Sequence, residues 1–490
     1  MPAIAAPATV ASALRSPRLL SRELLAGLVV AMALIPEAIS FSIIAGVDPR
    51  YGLFSSFIMA VSIAVVGGRP AMISAATGAV ALVIAPVARE HGIDYFIATV
   101  ILAGALQIIL SLLGVTKLLR FIPRSVMIGF VNALAILVAL AQLPHLVGVP
   151  WLVYPLVALA ILILVFLPRM TRAVPAPLVA IVTVTVIVVV MGAQVPNVGD
   201  QGALPTSLPE LFVPHVPLTF ETLGIIGPFA LAMAIVGLLE SLMTAKLVDE
   251  ITDTGSNKTR EAWGQGVSNI LSGFFGGMGG CAMIGQTMIN VKSSGARTRI
   301  STFAAGTFLL ALVVFLGDVV SLIPMAALVA VMLMVSVATF DWHSIRPATL
   351  RRMPLGETGV MIITVAVVVA TENLAIGVIV GVLVAMVVFA RRVAHLATVT
   401  RESTPDNGVR YQVSGALFFA SSNDLVTQFD YAADSGQITI DFSNAHIWDA
   451  STVAALDSIE ERYARHGVEV SLVGLNASSD RLRRRLTGTL

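Results

Sequence analysis

Two carboxylates stand where a carboxylate is expensive. Glu37 follows Pro36 inside one apolar run, and Glu240 lies inside another with Ser241 and Thr244 close by. An ionisable side chain at membrane depth needs a functional or a structural reason. Desolvation favours the neutral form of a carboxyl, which suits a proton carrier, whereas the ionised form can bind a small cation. Glu240 and Thr244, four residues apart on one helix face, offer a sodium site shared with carbonyls near Gly285. The structural alternative is a Glu that caps the backbone of a broken helix.

Two short stretches are the other candidates for chemistry. One reads Ile73-Ser74-Ala75-Ala76-Thr77-Gly78-Ala79, and the other Gly279-Gly280-Cys281-Ala282-Met283-Ile284-Gly285-Gln286-Thr287. Each is small and polar at the start of an apolar segment. If each begins a half-helix near the bilayer midplane, two N-termini face one another and form an anion site without a buried cation. Small side chains admit the anion to the backbone, and Ser74, Thr77, Gln286 and Thr287 can add donors. Close helix packing through small residues is the competing explanation.

The elements that carry these residues follow from composition. The chain has 490 residues, 57% apolar and 12% charged, with a mean hydropathy of +0.91. A soluble globule of this length needs roughly 25% charged residues. Of the 30 Lys and Arg and 29 Asp and Glu, 20 fall in residues 401–490, so a large membrane domain precedes a small soluble one. A net charge of +1 gives no sign of a nucleic-acid partner, and the single cysteine, Cys281, excludes an intrachain disulfide.

Apolar runs broken by Gly, Pro or charge predict fourteen segments between residues 23 and 391. The third, 71–88, opens on small and polar residues, and the tenth, 281–291, is too short to span. Placing the N-terminus inside puts twenty Lys and Arg in interior loops and leaves only Arg50 and Arg89 outside. Both termini are therefore expected in the cytoplasm. Ala31-Met32-Ala33 recurs at Ala232-Met233-Ala234, and Ile122-Pro123 at Ile323-Pro324. These echoes predict halves of about 21–195 and 221–395, the second inverted because each has seven spans.

The expected organisation is a cytosolic lead-in over 1–22, a transporter domain over 23–395, a linker over 396–408 and a cytosolic α/β domain over 409–490. The last has strand-like runs at Val409–Phe419, Gln437–Phe442 and Val468–Val473 and helical spacing over Ser451–Arg465. It has no Gly-rich phosphate loop and no metal-ligand cluster, so catalysis there lacks support.

The run Leu34-Ile35-Pro36-Glu37-Ala38-Ile39-Ser40-Phe41, with Ala45-Gly46-Val47-Asp48-Pro49 and Tyr51-Gly52-Leu53-Phe54, resembles the signature of the sulfate permease family of anion transporters, solute carrier family 26. Ile440-Asp441-Phe442-Ser443, followed by Asp449-Ala450-Ser451, is similar to the STAS domain (sulfate transporter and anti-sigma factor antagonist). The resemblance implies an α-helical polytopic membrane protein of fourteen segments in two inverted seven-segment repeats. Segments one to four and eight to eleven would form a core, and the others a gate. It also implies a homodimer and an anion held between segments three and ten, with Phe41, Thr77, Gly78, Gly285, Gln286 and Thr287 lining the pocket. Two positions depart from the family: Glu37 stands where Gln is usual, and Gln286 stands where some animal members have Arg. Ser451 matches the serine phosphorylated in bacterial anti-sigma factor antagonists.

The expectation is a secondary active anion transporter of the bacterial inner membrane and not an enzyme. It would move sulfate, bicarbonate or a dicarboxylate such as fumarate by proton-coupled symport, with an elevator-like alternating-access motion. The anion-binding set is Phe41, Ser74, Thr77, Gly78, Ala79, Gly285, Gln286 and Thr287, with Glu37, Glu240 and Thr244 for coupling. No cofactor or metal is expected beyond a proton or sodium as coupling ion. The expected partners are a small inorganic or organic anion, the lipid bilayer, a second copy of the chain and regulatory proteins meeting the STAS domain. A sodium-coupled bicarbonate transporter and an uncoupled anion channel are the rival functions.

Overall fold

The computed structural model describes residues 9–114, 122–170, 175–394, 397–403, 408–434 and 436–488. Lys117, Arg120 and Arg172 of the interior-facing cations lie outside the described residues, as do the first eight residues of the lead-in and linker residues 396 and 404–407. The chain divides near residue 382 into two compact units.

In the first unit, α1 (Val10–Arg15) leads into α2 (Pro17–Ala45) and α3 (Pro49–Val66). Strand β1 (Ser74–Ala75) precedes α4 (Gly78–Leu112), followed by α5 (Arg124–Leu140), α6 (Val153–Met170) and α7 (Ala176–Met191). The second half repeats the order with α8 (Phe220–Thr252), α9 (Lys258–Phe274), β2 (Cys281–Ala282) and α10 (Ile284–Met288). A π turn, Ile289–Ser293, extends α10. Then come α11 (Arg299–Phe315), the short α12 (Gly317–Ser321), α13 (Met325–Thr339), α14 (Pro347–Arg352), α15 (Leu355–Thr371) and α16 (Leu374–Ala394). Seven helical runs among the described residues are long and apolar enough to cross a membrane, and four shorter apolar helices accompany them. Segments three and four of the sequence are joined in α4, where only Gly92, at φ +82, departs from helix.

The packing has the exchange symmetry of inverted repeats. α2 packs on α11 as α8 packs on α4, and α3 packs on α11 as α9 packs on α4. α5 packs on α15 as α13, its counterpart, packs on α6. Each half therefore packs many of its helices against the other half.

At the centre the two broken segments cross. Ser74 and Ala75 pair antiparallel with Ala282 and Cys281, and Met283 N–H donates to the Ile73 carbonyl at 2.9 Å. A backbone broken at membrane depth has no water to bond, so neighbours must supply partners. Gly280 N–H donates to Asn269 Oδ1 (2.8 Å), Ala282 N–H to Ser241 Oγ (3.1 Å), Ala76 N–H to Ser56 Oγ (3.3 Å) and Ile73 N–H to Thr287 Oγ1 (3.0 Å). The crossing is tight enough that a Cβ on Gly280 would stand 1.9 Å from the Ala75 carbonyl oxygen. Only glycine fits.

The second unit contains β3 (Thr398–Ser403), β4 (Val409–Leu417), α17 (Phe419–Val426), β5 (Ile438–Ile447), α18 (Ala450–Arg465), β6 (Val470–Val473) and α19 (Ala477–Leu486). The sheet order is β3-β4-β5-β6. β3 is antiparallel to β4, and the other pairs are parallel. β3 corrects the linker expected over 396–408. Its sequence, Thr-Val-Thr-Arg-Glu-Ser, is mostly exposed, so it lacks the buried alternation that betrays a strand. Its Arg401 reaches the buried Asp434 at 2.7 Å, where the hydroxyls of Tyr411 and Tyr463 also donate. Ser451 is exposed in the first turn of α18, beside its N-cap Asp449.

The acid limb of this domain's stability follows from Asp441. The Ser443 hydroxyl and the Arg410 guanidinium hold its carboxyl down from 3.8 to about 2. A lowered folded value contributes stability that is present above pH 3.8 and is lost as pH falls towards 2. The 397–490 fragment is expected to fold alone, and Asp441→Asn should flatten its stability between those pH values. Denaturant melts across that range check this; an unchanged acid limb would show that the Arg410–Asp441 pair contributes nothing.

Candidate functional site

The crossing opens on one side into a cavity of about 530 Å³, a size suited to a small ligand. Its core side is lined by Glu37 and Phe41 from α2, Thr77, Gly78 and Ala79 at the start of α4, Glu240 and Met243 from α8, and Met283, Gly285 and Gln286 at the start of α10. Phe130, Leu134 and Val138 of α5 and Val331 and Val335 of α13 form the opposite wall. Among the described residues, the lining includes two carboxyls and no Lys, Arg or His.

Local chemistry explains each placement. Thr77 is the N-cap of α4, its side chain accepting from Val80 N–H at 3.4 Å. The next amides, at Gly78 and Ala79, have no carbonyl one turn earlier to bond, so they point towards the cavity end of the helix. At Gly285 a Cβ would meet nothing within 4 Å, whereas at Gly78 it would stand 2.8 Å from Phe41 Cε1. Pro36 supplies no N–H to the α2 ladder, and Glu37 follows it.

Both carboxyls are held by the tenth segment. Gln286 Nε2 donates to Glu37 Oε1 at 2.6 Å. The Cys281 thiol donates to Glu240 Oε2 at 2.9 Å and lies 3.1 Å from Thr77 Oγ1. Neither carboxyl has an ion-pair partner among the described residues.

Of the sequence candidates, Phe41, Thr77, Gly78, Ala79, Gly285, Gln286, Glu37 and Glu240 meet in the cavity, and three do not. Ser74 turns away to accept from Gln265 Nε2 at 2.7 Å. Thr287 accepts from Ile73 N–H and so braces the crossing. Alternation along an extended strand and rotation along a helix put these two on the far face. Thr244 donates to the Glu240 backbone carbonyl at 2.8 Å, one turn earlier in its own helix, and is outside the lining. Its hydroxyl oxygen also lies 3.4 Å from the Ala282 carbonyl of the tenth segment. Cys281 was visible in the sequence only as a lone thiol; its link to Glu240 depends on the strand crossing. The gate-side wall is mostly apolar, with hydroxyls only at Ser336 and Thr339 of α13 among the described lining residues. Asn132 and Gln107 join helices, to Ser344 and Asn269, whereas Gln142 bonds within its own helix to Val138.

A half-helix crossing that opens on a cavity between inverted repeats defines a membrane transporter. The sulfate permease family model matches residues 20–153 and 149–366, and the STAS domain model matches residues 398–488. The chain belongs to the sulfate permease family: it is an integral membrane anion transporter with a C-terminal STAS domain, and not an enzyme. It is 51% identical over 466 residues to YbaR of Bacillus subtilis (strain 168), provisionally named a sulfate transporter, covering 95% of this chain and 96% of that one. The transmembrane domain of a cyanobacterial bicarbonate transporter, BicA, superposes with a TM-score of 0.65 at 25% identity, covering 76% of this chain and 98% of that one. Murine Slc26a9, an anion transporter solved in the inward-facing state, shares the fold, with a TM-score of 0.80 at 16% identity over 95% of this chain and 87% of its own.

Because a side chain at Gly285 has open space to enter, Gly285→Leu should fill the cavity without disturbing the fold. Anion uptake is expected to fall by at least about tenfold while the thermal midpoint moves by no more than about 2 °C. Full uptake by a Gly285→Leu protein would place the anion path elsewhere.

Proposed function

We propose that this chain is a proton-coupled symporter of a small oxyanion in the bacterial inner membrane. The anion sits between the starts of α4 and α10, against Phe41, and the core group of helices carries it past the gate group in an elevator-like motion. The chain works as a homodimer with both termini in the cytoplasm, and its STAS domain meets regulatory proteins. The observation that carries the reading is the presence of Glu37 and Glu240 in the lining of one cavity to which the described residues contribute no cationic side chain.

Helix-start amides attract an anion, but two ionised carboxylates in the same cavity repel it. A proton taken up with the anion removes one of those charges. The step is balanced: one carboxylate gains a proton outside, the neutral carboxyl and anion cross together, and the proton leaves inside. Sodium could offset the charge only with further oxygen ligands, and Thr244 lies outside the cavity lining.

Uptake into proteoliposomes should rise as external pH falls. Glu37→Gln or Glu240→Gln, whichever removes the true carrier, should abolish that dependence while anion exchange persists. Replacing sodium with choline should leave uptake unchanged. An unchanged pH profile in both Gln variants would contradict proton coupling through these residues, and loss of uptake in choline would favour the sodium-coupled rival.

A further inference from the structure

Gln286 is 2% exposed and lines the cavity. Its amide nitrogen is occupied by Glu37, yet its amide oxygen is buried and has no hydrogen-bond partner. A buried acceptor without a donor is costly, so such an oxygen in a ligand cavity marks where a donor is expected. No hydrogen bond to it is formed from the described residues. The Ser336 hydroxyl donates to the Met332 carbonyl of its own helix, and Thr77 Oγ1 is engaged with Cys281. Acceptors dominate this part of the cavity: the Gln286 oxygen and the carboxyls of Glu37 and Glu240.

We propose that Gln286 makes the cavity selective for a monoanionic oxyacid that retains one O–H, over a dianion that can only accept. This rests on the reading that the anion occupies this cavity. A protonated monoanion turns its bare oxygens to the amides of Gly78 and Gly285 and its O–H to Gln286 Oε1. A dianion such as sulfate satisfies the amides but leaves the Gln286 oxygen unpaired, and it adds a second negative charge beside two carboxyls. A site with an obligatory acceptor rejects a ligand lacking the matching donor. Hydrogencarbonate and the monoanion of a dicarboxylic acid belong to the favoured class; sulfate does not.

Selenite and selenate supply the probes, because selenite keeps a proton near neutral pH and selenate has none. Uptake of each by the full-length protein in proteoliposomes is read as accumulated selenium. Selenite should be preferred by about tenfold or more, the ratio that one ordinary hydrogen bond supplies. Gln286→Met, which keeps the size but removes the acceptor, should lower that preference by about tenfold, and Gln286→Glu, which keeps an acceptor, should retain it. Equal or better uptake of selenate by the unmodified protein would overturn the inference while leaving anion transport intact. A preference undiminished in Gln286→Met would overturn the role of Gln286. Uptake of neither probe, nor of sulfate or hydrogencarbonate, would overturn the transport reading as well.

Discussion

The structure depends on how two interrupted chains satisfy their backbone groups away from water. Unpaired N–H and C=O groups at membrane depth cost several kcal/mol each, on the order of a whole tertiary contact. Here the interruptions at 73–76 and 279–283 meet and bond one another, and Ser56, Ser241, Asn269 and Thr287 cover the remaining amides. That requirement accounts for the polar side chains buried in α3, α8 and α9. It also fixes Gly280, whose place allows the crossing strands to touch. Once the crossing is formed, α4 and α10 must start beside each other.

Function follows from the groups that the crossing leaves free. Strand pairing uses the backbone of Ser74, Ala75, Cys281 and Ala282, whereas the first amides of the helices that follow have no partner within their helices. The repeat brings Glu37 and Glu240 from equivalent helices to the same cavity, but their restraints are not equivalent. Gln286 holds one and Cys281 holds the other, both from the tenth segment and neither from the third. Both carboxyls are therefore tied to the tenth segment, on either side of the start of α10.

Much of this was legible before any coordinates. Charge at membrane depth singled out Glu37 and Glu240, and small residues ahead of apolar runs singled out Thr77, Gly78, Gly285 and Gln286. Those signals survive because they rest on desolvation cost and on the small residues that helix starts near a ligand require. Side-chain direction was not legible. Ser74 and Thr287 have the composition of ligand donors, but the strand and helix geometry turns them onto the crossing. Thr244 shares a helix face with Glu240, yet its hydroxyl takes the carbonyl one turn earlier. The edge strand β3 was hidden by its exposed, polar sequence. Gate residues such as Phe130 and Val331 were indistinguishable from any apolar lining, since packing against a distant segment leaves no local pattern.

The central claim is that a protonated oxyanion binds between the starts of α4 and α10. Crystals of the full-length protein grown with selenite test it most directly, because selenium can be located by its anomalous scattering. The account predicts a selenium peak within hydrogen-bonding reach, about 3–4 Å from selenium to donor or acceptor, of the Gly78 and Gly285 amides and of the Gln286 side chain. A peak confined to exposed arginines such as Arg351 and Arg352, with the cavity empty at saturating selenite, would contradict it.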